Sequence, residues 1–419
     1  MFNQRSLSNG LTLITINQPH LDSVTTLVAV GAGSRYETKK ISGISHFLEH
    51  MFFKGSKKYP TAIEIANLVD GIGAINNAAT DKEVTYYWIK SDSKHLELSS
   101  DILSSMISQS LLAESEIERE KGVIIEELRM YRDDPSRYVW NLYERLQFGD
   151  QPLGWDIGGD EKTVTSLIRE DFIKYMNGLY SPKNMALVYV GNLPKDIEKI
   201  AADYFSDLLE KPYGKFIPYK SNVQTKPCLN IFYKKTDQVN LILGVQAYNR
   251  NDPKKYILKI LTAILGEGMS SRLFIQLRER RGLAYHVGAA FTPYQDSGAF
   301  TVYAGVKLEK VYESLEVIKA ELEKAKGKVG EDELKKAKEM IRGRIAIKSE
   351  STNFLAEYFG TNFVLDRKIE TFDEVLEKVD KISLDDVQLV ANELLQNEKY
   401  NLQLIGPFKD TNKFVKVLG

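Results

Sequence analysis

The end of one half of the chain recurs at the end of the other. Ser166-Leu167, a charged helical stretch, Asn184 and then Val188-Tyr189-Val190-Gly191 return as Ser383-Leu384, a helical stretch, Asn401 and Leu404-Ile405-Gly406. Ser166 to Ser383 and Asn184 to Asn401 are both 217 positions. The elements before these endings also repeat in order. Apolar alternation predicts strands at 11–17 and 23–30, then helices at 42–53 and 62–69, then strands at 74–79 and 85–89. Helices are expected at 95–109, 114–131, 137–147 and 169–179, with an apolar strand at 185–190. The second half reads as strands 229–233 and 239–246, helices 254–265 and 271–280, and strands 284–291 and 298–304. Helices 308–325, 331–349, 353–365 and 384–396 and a strand 400–405 complete it. The economical reading is a duplicated α+β unit of about 200 residues. It predicts two homologous α+β domains, 1–210 and 228–419. The stretch 211–227, with Pro212, Pro218 and Pro227 among polar residues, reads as the linker.

Composition removes several classes of function. Lys and Arg number 56 against 57 Asp and Glu, a net charge of −1. A nucleic-acid binder that neutralises phosphates carries a basic excess, so no nucleic-acid partner is expected. Cys228 is the one cysteine, which excludes an internal disulfide and any cysteine-rich metal site. No apolar run approaches the ~20 residues that span a bilayer, and no membrane partner is expected. The first ten residues hold neither a basic region nor an apolar core of a signal peptide, so the expected compartment is the cytoplasm.

With five histidines in the chain, His46-Phe47-Leu48-Glu49-His50 stands out. On a helix, positions 46 and 50 lie one turn apart on one face, so two imidazoles can hold one metal ion. Glu49, three residues after His46, points to the same side and is placed to take a proton from a metal-bound water. The pattern H-x-x-E-H reverses the H-E-x-x-H of zinc proteases. Phe47, Leu48, Met51, Phe52 and Phe53 make the helix strongly apolar, and polar groups on such a helix need partners. A catalytic zinc needs a third protein ligand and an open position. The acidic stretch 114–131 offers candidates. Glu120 and Glu127 share a face, with Val123 and Ile124 between them, while Glu126 points roughly 100° away from Glu127. Alone, this run reads as a salt-bridged surface helix, and spacing does not choose between Glu126 and Glu127.

His46–His50 followed by Met51-Phe52-Phe53-Lys54-Gly55-Ser56 resembles the inverzincin metallopeptidases, the M16 family of pitrilysin, insulin-degrading enzyme and the mitochondrial processing peptidase. The resemblance covers essentially the whole chain, including its doubling. It implies a LuxS/MPP-like metallohydrolase fold whose two halves form a clam shell. It implies Zn²⁺, one per chain, on His46, His50 and Glu127, the last standing second in a Glu-Glu pair. Glu49 would be the general base, and Glu120 would orient the site. Ala74-Ile75-Asn76-Asn77-Ala78-Ala79-Thr80 resembles the family's substrate-binding edge strand, with Asn77, Ala78 and Ala79 at the matching positions. By itself that segment reads as a plain hairpin. Arg278 and Tyr285, seven apart in Arg278-Glu279-Arg280-Arg281-Gly282-Leu283-Ala284-Tyr285, resemble the family's second catalytic segment, which binds the peptide carbonyl and developing oxyanion. By itself Arg278 reads as a surface charge.

The resemblance thus implies a zinc metalloendopeptidase of short or unfolded peptides. Because zinc motif and Arg/Tyr pair stand on one chain, it also implies a homodimer. The rival reading is a non-catalytic peptide-binding or assembly subunit of the same family; such members lose parts of H-x-x-E-H, which is intact here. The segment 258–265 of the second half holds neither His nor Glu, so no second zinc is expected. Gly31-Ala32-Gly33 and Gly266-Glu267-Gly268 lack the further residues of a nucleotide fingerprint. A di-iron bundle would need Glu-x-x-His pairs, which neither His46 nor His50 forms.

Overall fold

The structure is a computed structural model that describes residues 2–221, 223–327 and 329–419. Among the described residues the strands form two mixed sheets. The first holds β1 (Asn3–Ser6), β2 (Thr12–Asn17), β3 (Ser23–Val30), β4 (Ile75–Thr80), β5 (Thr85–Asp92) and β6 (Met185–Gly191) in the order β1-β2-β6-β3-β5-β4. The second holds β7 (Cys228–Tyr233), β8 (Gln238–Gln246), β9 (Ala284–Pro293), β10 (Gly298–Lys307) and β11 (Asn401–Gly406) in the order β7-β11-β8-β10-β9. The order β7-β11-β8-β10-β9 reproduces β2-β6-β3-β5-β4. In both, a parallel pair (β2 with β6, β7 with β11) is followed by antiparallel neighbours. The fold is α+β, and the duplication legible at the chain's two endings extends through both sheets.

Local sequence explains the strand positions. β6 reads Met-Ala-Leu-Val-Tyr-Val-Gly and is buried along its whole length, as a strand covered on both faces requires. β5 alternates buried and partly exposed residues, the pattern of a strand with one covered face. β4 is exposed over Ile75–Asn77 and pairs only with β5, so it forms an edge.

The chain divides into two compact units that are not contiguous in sequence. One comprises Met1–Arg129, Trp155–Ile217 and Ile347–Ile369; the other comprises Met130–Gly154, Pro218–Ala346 and Glu370–Gly419. The crossing at 217–218 falls inside the expected linker 211–227. The contiguous halves 1–210 and 228–419, however, each give up a helix. In the first unit, helix Thr352–Asp366 covers a face of the first sheet. Its Gly360 lies so close that an added Cβ would stand 3.1 Å from Leu27 and 3.2 Å from Ala29 and Val188. The Thr25 and Thr352 hydroxyls hydrogen-bond at 2.8 Å across the same contact. In the second unit, helix Pro135–Phe148 packs Val139, Tyr143 and Phe148 against Ile242, Ala299 and Ile405. Hydrophobic periodicity shows that a helix buries a stripe. It does not say which sheet receives that stripe, so contiguity was the wrong guide for these two helices.

Segment 271–280, expected as an ordinary helix, contains a π-helical turn at Phe274–Glu279, which carries Arg278. No helix among the described residues is long and apolar enough to cross a membrane.

Candidate active site

Helix Ile44–Phe52 is positioned by its apolar side. Phe47, Leu48, Met51 and Phe52 are fully buried in the core of the first unit. His46, Glu49 and His50 are left partly exposed on the remaining surface. The imidazole centroids of His46 and His50 are 4.7 Å apart, as one helical turn predicts. The facing group comes from helix Glu114–Asp133, which buries Ile117, Glu120, Ile124 and Leu128. Val123 is exposed, so of Val123 and Ile124 only Ile124 is buried in the core.

Glu127 Oε2 lies 3.7 Å from His46 Nε2 and 3.6 Å from His50 Nε2. The three potential ligand atoms all fall within 4.8 Å of one another. Ligands each about 2.0–2.1 Å from a tetrahedral ion stand roughly 3.3 Å apart, so this triangle is close to the size zinc requires. A further observation fits a cation. His50 Nδ1 is 2.9 Å from Glu120 Oε1, and with Nδ1–H donated there, Nε2 keeps its lone pair towards Glu127. Burial and the neighbouring His50 push the His46 imidazole below its usual range, with Glu127 and Asp156 pulling the other way; a neutral ring is the ligating form. Burial also works against charge on His50, but the Glu120 hydrogen bond and the charges of Glu127, Glu120 and Glu49 outweigh it and raise its pKa. Two imidazoles and one carboxylate are the donor set of a catalytic zinc site, with a position left for water.

Glu120 is 3% exposed, and Lys54 Nζ reaches its second oxygen at 2.5 Å. Burial raises the Glu120 pKa, but the hydrogen bonds from His50 and Lys54 more than reverse this and leave the carboxyl low. Glu49 accepts a hydrogen bond from the Thr80 hydroxyl through Oε2. Burial pushes the Glu49 carboxyl above its usual range, while Thr80 and His50 pull it back. A carboxyl raised in this way suits a proton acceptor near neutral pH. Glu126 is 72% exposed and pairs with Arg129 at 2.7 Å. The tertiary packing therefore separates the two glutamates that spacing could not.

The remaining expected residues belong to edge strand β4 or to the other unit. Asn77, Ala78 and Ala79 sit in edge strand β4, where Asn77 Oδ1 accepts from the Ala78 N–H at 2.9 Å. Arg278 and Tyr285 belong to the second unit. The Arg278 guanidinium stands 5.0 Å from the Phe274 ring centroid and 5.5 Å from that of Tyr285, which is 73% exposed near the start of β9. The structure thus places Arg278 and Tyr285 against each other.

Sequence reasoning passed over Lys54, Thr80 and Glu37. Glu37 caps the motif helix from outside it. The helix has no side-chain cap of its own, and its N-cap residue Gly43 has φ 95°. An added Cβ there would stand 2.5 Å from the Gly158 carbonyl oxygen. Glu37 Oε2 accepts from Gly43 N–H at 2.8 Å, and Oε1 accepts from Ser45 N–H at 2.9 Å and the Ser45 hydroxyl at 2.6 Å. Free N–H groups at a helix start need such acceptors. The only sequence signal was an acid six residues before a glycine that opens a helix.

Burial pushes the Glu37 carboxyl up to about 8, against its three donors and Lys82. A carboxyl with a raised folded-state pKa contributes stability that is fully present below about 4.5 and is lost as pH rises through about 8. Glu37→Gln resembles the protonated acid. In the metal-free chain, urea titrations are expected to give wild type and Glu37→Gln similar stabilities near pH 5. The mutant should gain on wild type toward pH 9. A pH-independent difference would show that Glu37 stays ionised in the native chain.

Two family profiles match the chain. The one described as Insulinase (Peptidase family M16) covers residues 12–161, and the one described as Peptidase M16 inactive domain covers residues 166–341. The chain is 35% identical to a protein of Bacillus subtilis (strain 168) named uncharacterized zinc protease YmxG, over 97% of this chain and 98% of that one. It is 36% identical to an uncharacterized zinc protease of Rickettsia felis, again over 97% and 98%. Its fold is similar to the crystal structure of a protease from Helicobacter pylori, with a TM-score of 0.90, 23% identity, and coverage of 97% of this chain and 99% of that chain.

Proposed function

Since the chain belongs to the M16 peptidase family, we propose that it is a zinc metalloendopeptidase that hydrolyses short or unfolded peptides. The observation that carries this reading is the convergence of His46 Nε2, His50 Nε2 and Glu127 Oε2 beside the carboxyl of Glu49. Zn²⁺ held by those three residues would supply Lewis acidity to a water and to the scissile carbonyl. Glu49 takes the proton of the attacking water and delivers it to the leaving amine. Glu120 fixes the tautomer and orientation of His50. Edge strand β4, around Asn77, Ala78 and Ala79, offers its outer backbone edge to an extended peptide.

Arg278 and Tyr285 hydrogen-bond the scissile carbonyl in this proposal, supported by the family resemblance and by their mutual contact. One zinc per chain is supported by the single converging group of metal-binding side chains found among the described residues. The homodimer belongs to the same proposal. A solution mass of two 47.6-kDa chains supports it, and a mass of one chain removes it.

The test is zinc content together with cleavage of a quenched fluorescent peptide library. About one zinc per chain is expected, with cleavage that a chelator abolishes and added zinc restores. Zinc and peptide binding without cleavage would make the chain a binding subunit. Absence of zinc binding would remove the reading altogether.

A further inference from the structure

The geometry points to Thr80 as a positioning residue for Glu49, one that ties the proton-transferring carboxylate to the strand expected to hold substrate. This rests on the peptidase reading for the role of Glu49, although the contact stands independently of it.

Thr80 is the last residue of edge strand β4, and its hydroxyl donates to Glu49 Oε2. Among the described residues no other side chain hydrogen-bonds Glu49, so Oε1 is left for a water. The donor is held rigidly. Thr80 pairs with Thr85 at the closed end of the β4–β5 hairpin, where the Asp81 N–H donates to the Val84 carbonyl at 2.8 Å. Thr85 is fully buried, and its hydroxyl donates to the Ala32 carbonyl at 3.0 Å.

Two consequences follow. A half-buried carboxylate on three rotatable bonds is restricted to the rotamer that meets Thr80. A peptide that adds to β4 through its backbone is also placed in fixed register with Glu49, because Thr80 belongs to the same strand. A neutral donor does this without adding charge beside the metal ligands. Thr80 should therefore affect turnover more than metal affinity.

The experiment compares zinc-loaded wild type, Thr80→Val and Thr80→Ser on one quenched peptide, with zinc content and thermal melting measured alongside. Valine keeps the shape and β-branching but removes the donor. Thr80→Val is expected to lower kcat about tenfold or more, a fraction of the ~10²–10⁴ that general-base catalysis supplies. KM should stay within about twofold and zinc content at the wild-type level, while Thr80→Ser returns kcat to within about threefold of wild type. A Thr80→Val kcat equal to wild type overturns the proposal. So does a change confined to KM, or failure of serine to rescue.

Crystal structures of zinc-loaded wild type and Thr80→Val provide a readout that needs no activity. A Glu49 carboxylate displaced only in the mutant supports the assignment. The same carboxylate position in both overturns it. If wild type cleaves no peptide, the peptidase reading fails, and these structures still decide whether Thr80 positions Glu49. Should Thr80→Val fail to fold, Thr80→Ala replaces it in both measurements.

Discussion

Glu49→Gln is expected to bind zinc as wild type does and to lower kcat about 10²–10⁴-fold, the range general acid–base catalysis contributes. The substitution keeps the side-chain length and leaves Phe47, Leu48, Met51 and Phe52, which anchor the helix, untouched. A glutamine carbonyl oxygen also accepts the Thr80 hydroxyl, so the hydrogen bond to Thr80 is retained. What disappears is an oxygen able to take and return a proton. Zinc content and single-peptide kinetics check this together. Full activity in Glu49→Gln would remove Glu49 as the base. Loss of zinc together with activity would show that the residue supports the site structurally.

Glu127→Gln and Glu126→Gln, neighbours in sequence, are expected to behave oppositely. Glu127 Oε2 lies 3.6–3.7 Å from both imidazoles, whereas Glu126 faces solvent beside Arg129. A neutral amide is a poor zinc ligand. Glu127→Gln should therefore weaken zinc binding by more than the ~10–100-fold typical of losing a second-layer partner. Glu120→Gln should fall within that range, and Glu126→Gln should match wild type. Competition with a fluorescent chelator measures all three. Zinc loss in Glu126→Gln, or wild-type affinity in Glu127→Gln, would reverse the assignment.

The motif helix was legible because everything it needs is local. An i, i+4 pair of histidines, a glutamate at i+3 and an apolar stripe follow from 3.6 residues per turn. The same holds for β6 and β11, whose apolar runs announce buried strands. The short charged helices Ile197–Phe205 and Phe372–Asp380 escaped because tertiary burial supplies what their brief patterns do not. The π-helical turn at Phe274–Glu279 escaped because its longer hydrogen-bond period leaves no separate mark on residue pattern.

The third ligand shows the limit most clearly. Glu126 and Glu127 differ by one position, and helix periodicity only states that they face different directions. Which direction faces His46 depends on how helix Glu114–Asp133 lies across helix Ile44–Phe52, set by Ile117, Ile124 and Leu128 entering the core. The family resemblance had implied Glu127, and the packing brings it to the histidines.

By itself the sequence determined the doubled α+β plan, the His46–Glu49–His50 face and the absence of an internal disulfide or a cysteine-rich metal site. These are consequences of composition and of contacts within a few residues along the chain. Tertiary structure alone decided that helices Pro135–Phe148 and Thr352–Asp366 join the units opposite to their sequence halves. It also decided that Glu37 caps the motif helix and that Thr80 meets Glu49. Each of these is a meeting of groups distant in sequence or on different elements. Periodicity reports that a face is buried, and packing chooses what it is buried against.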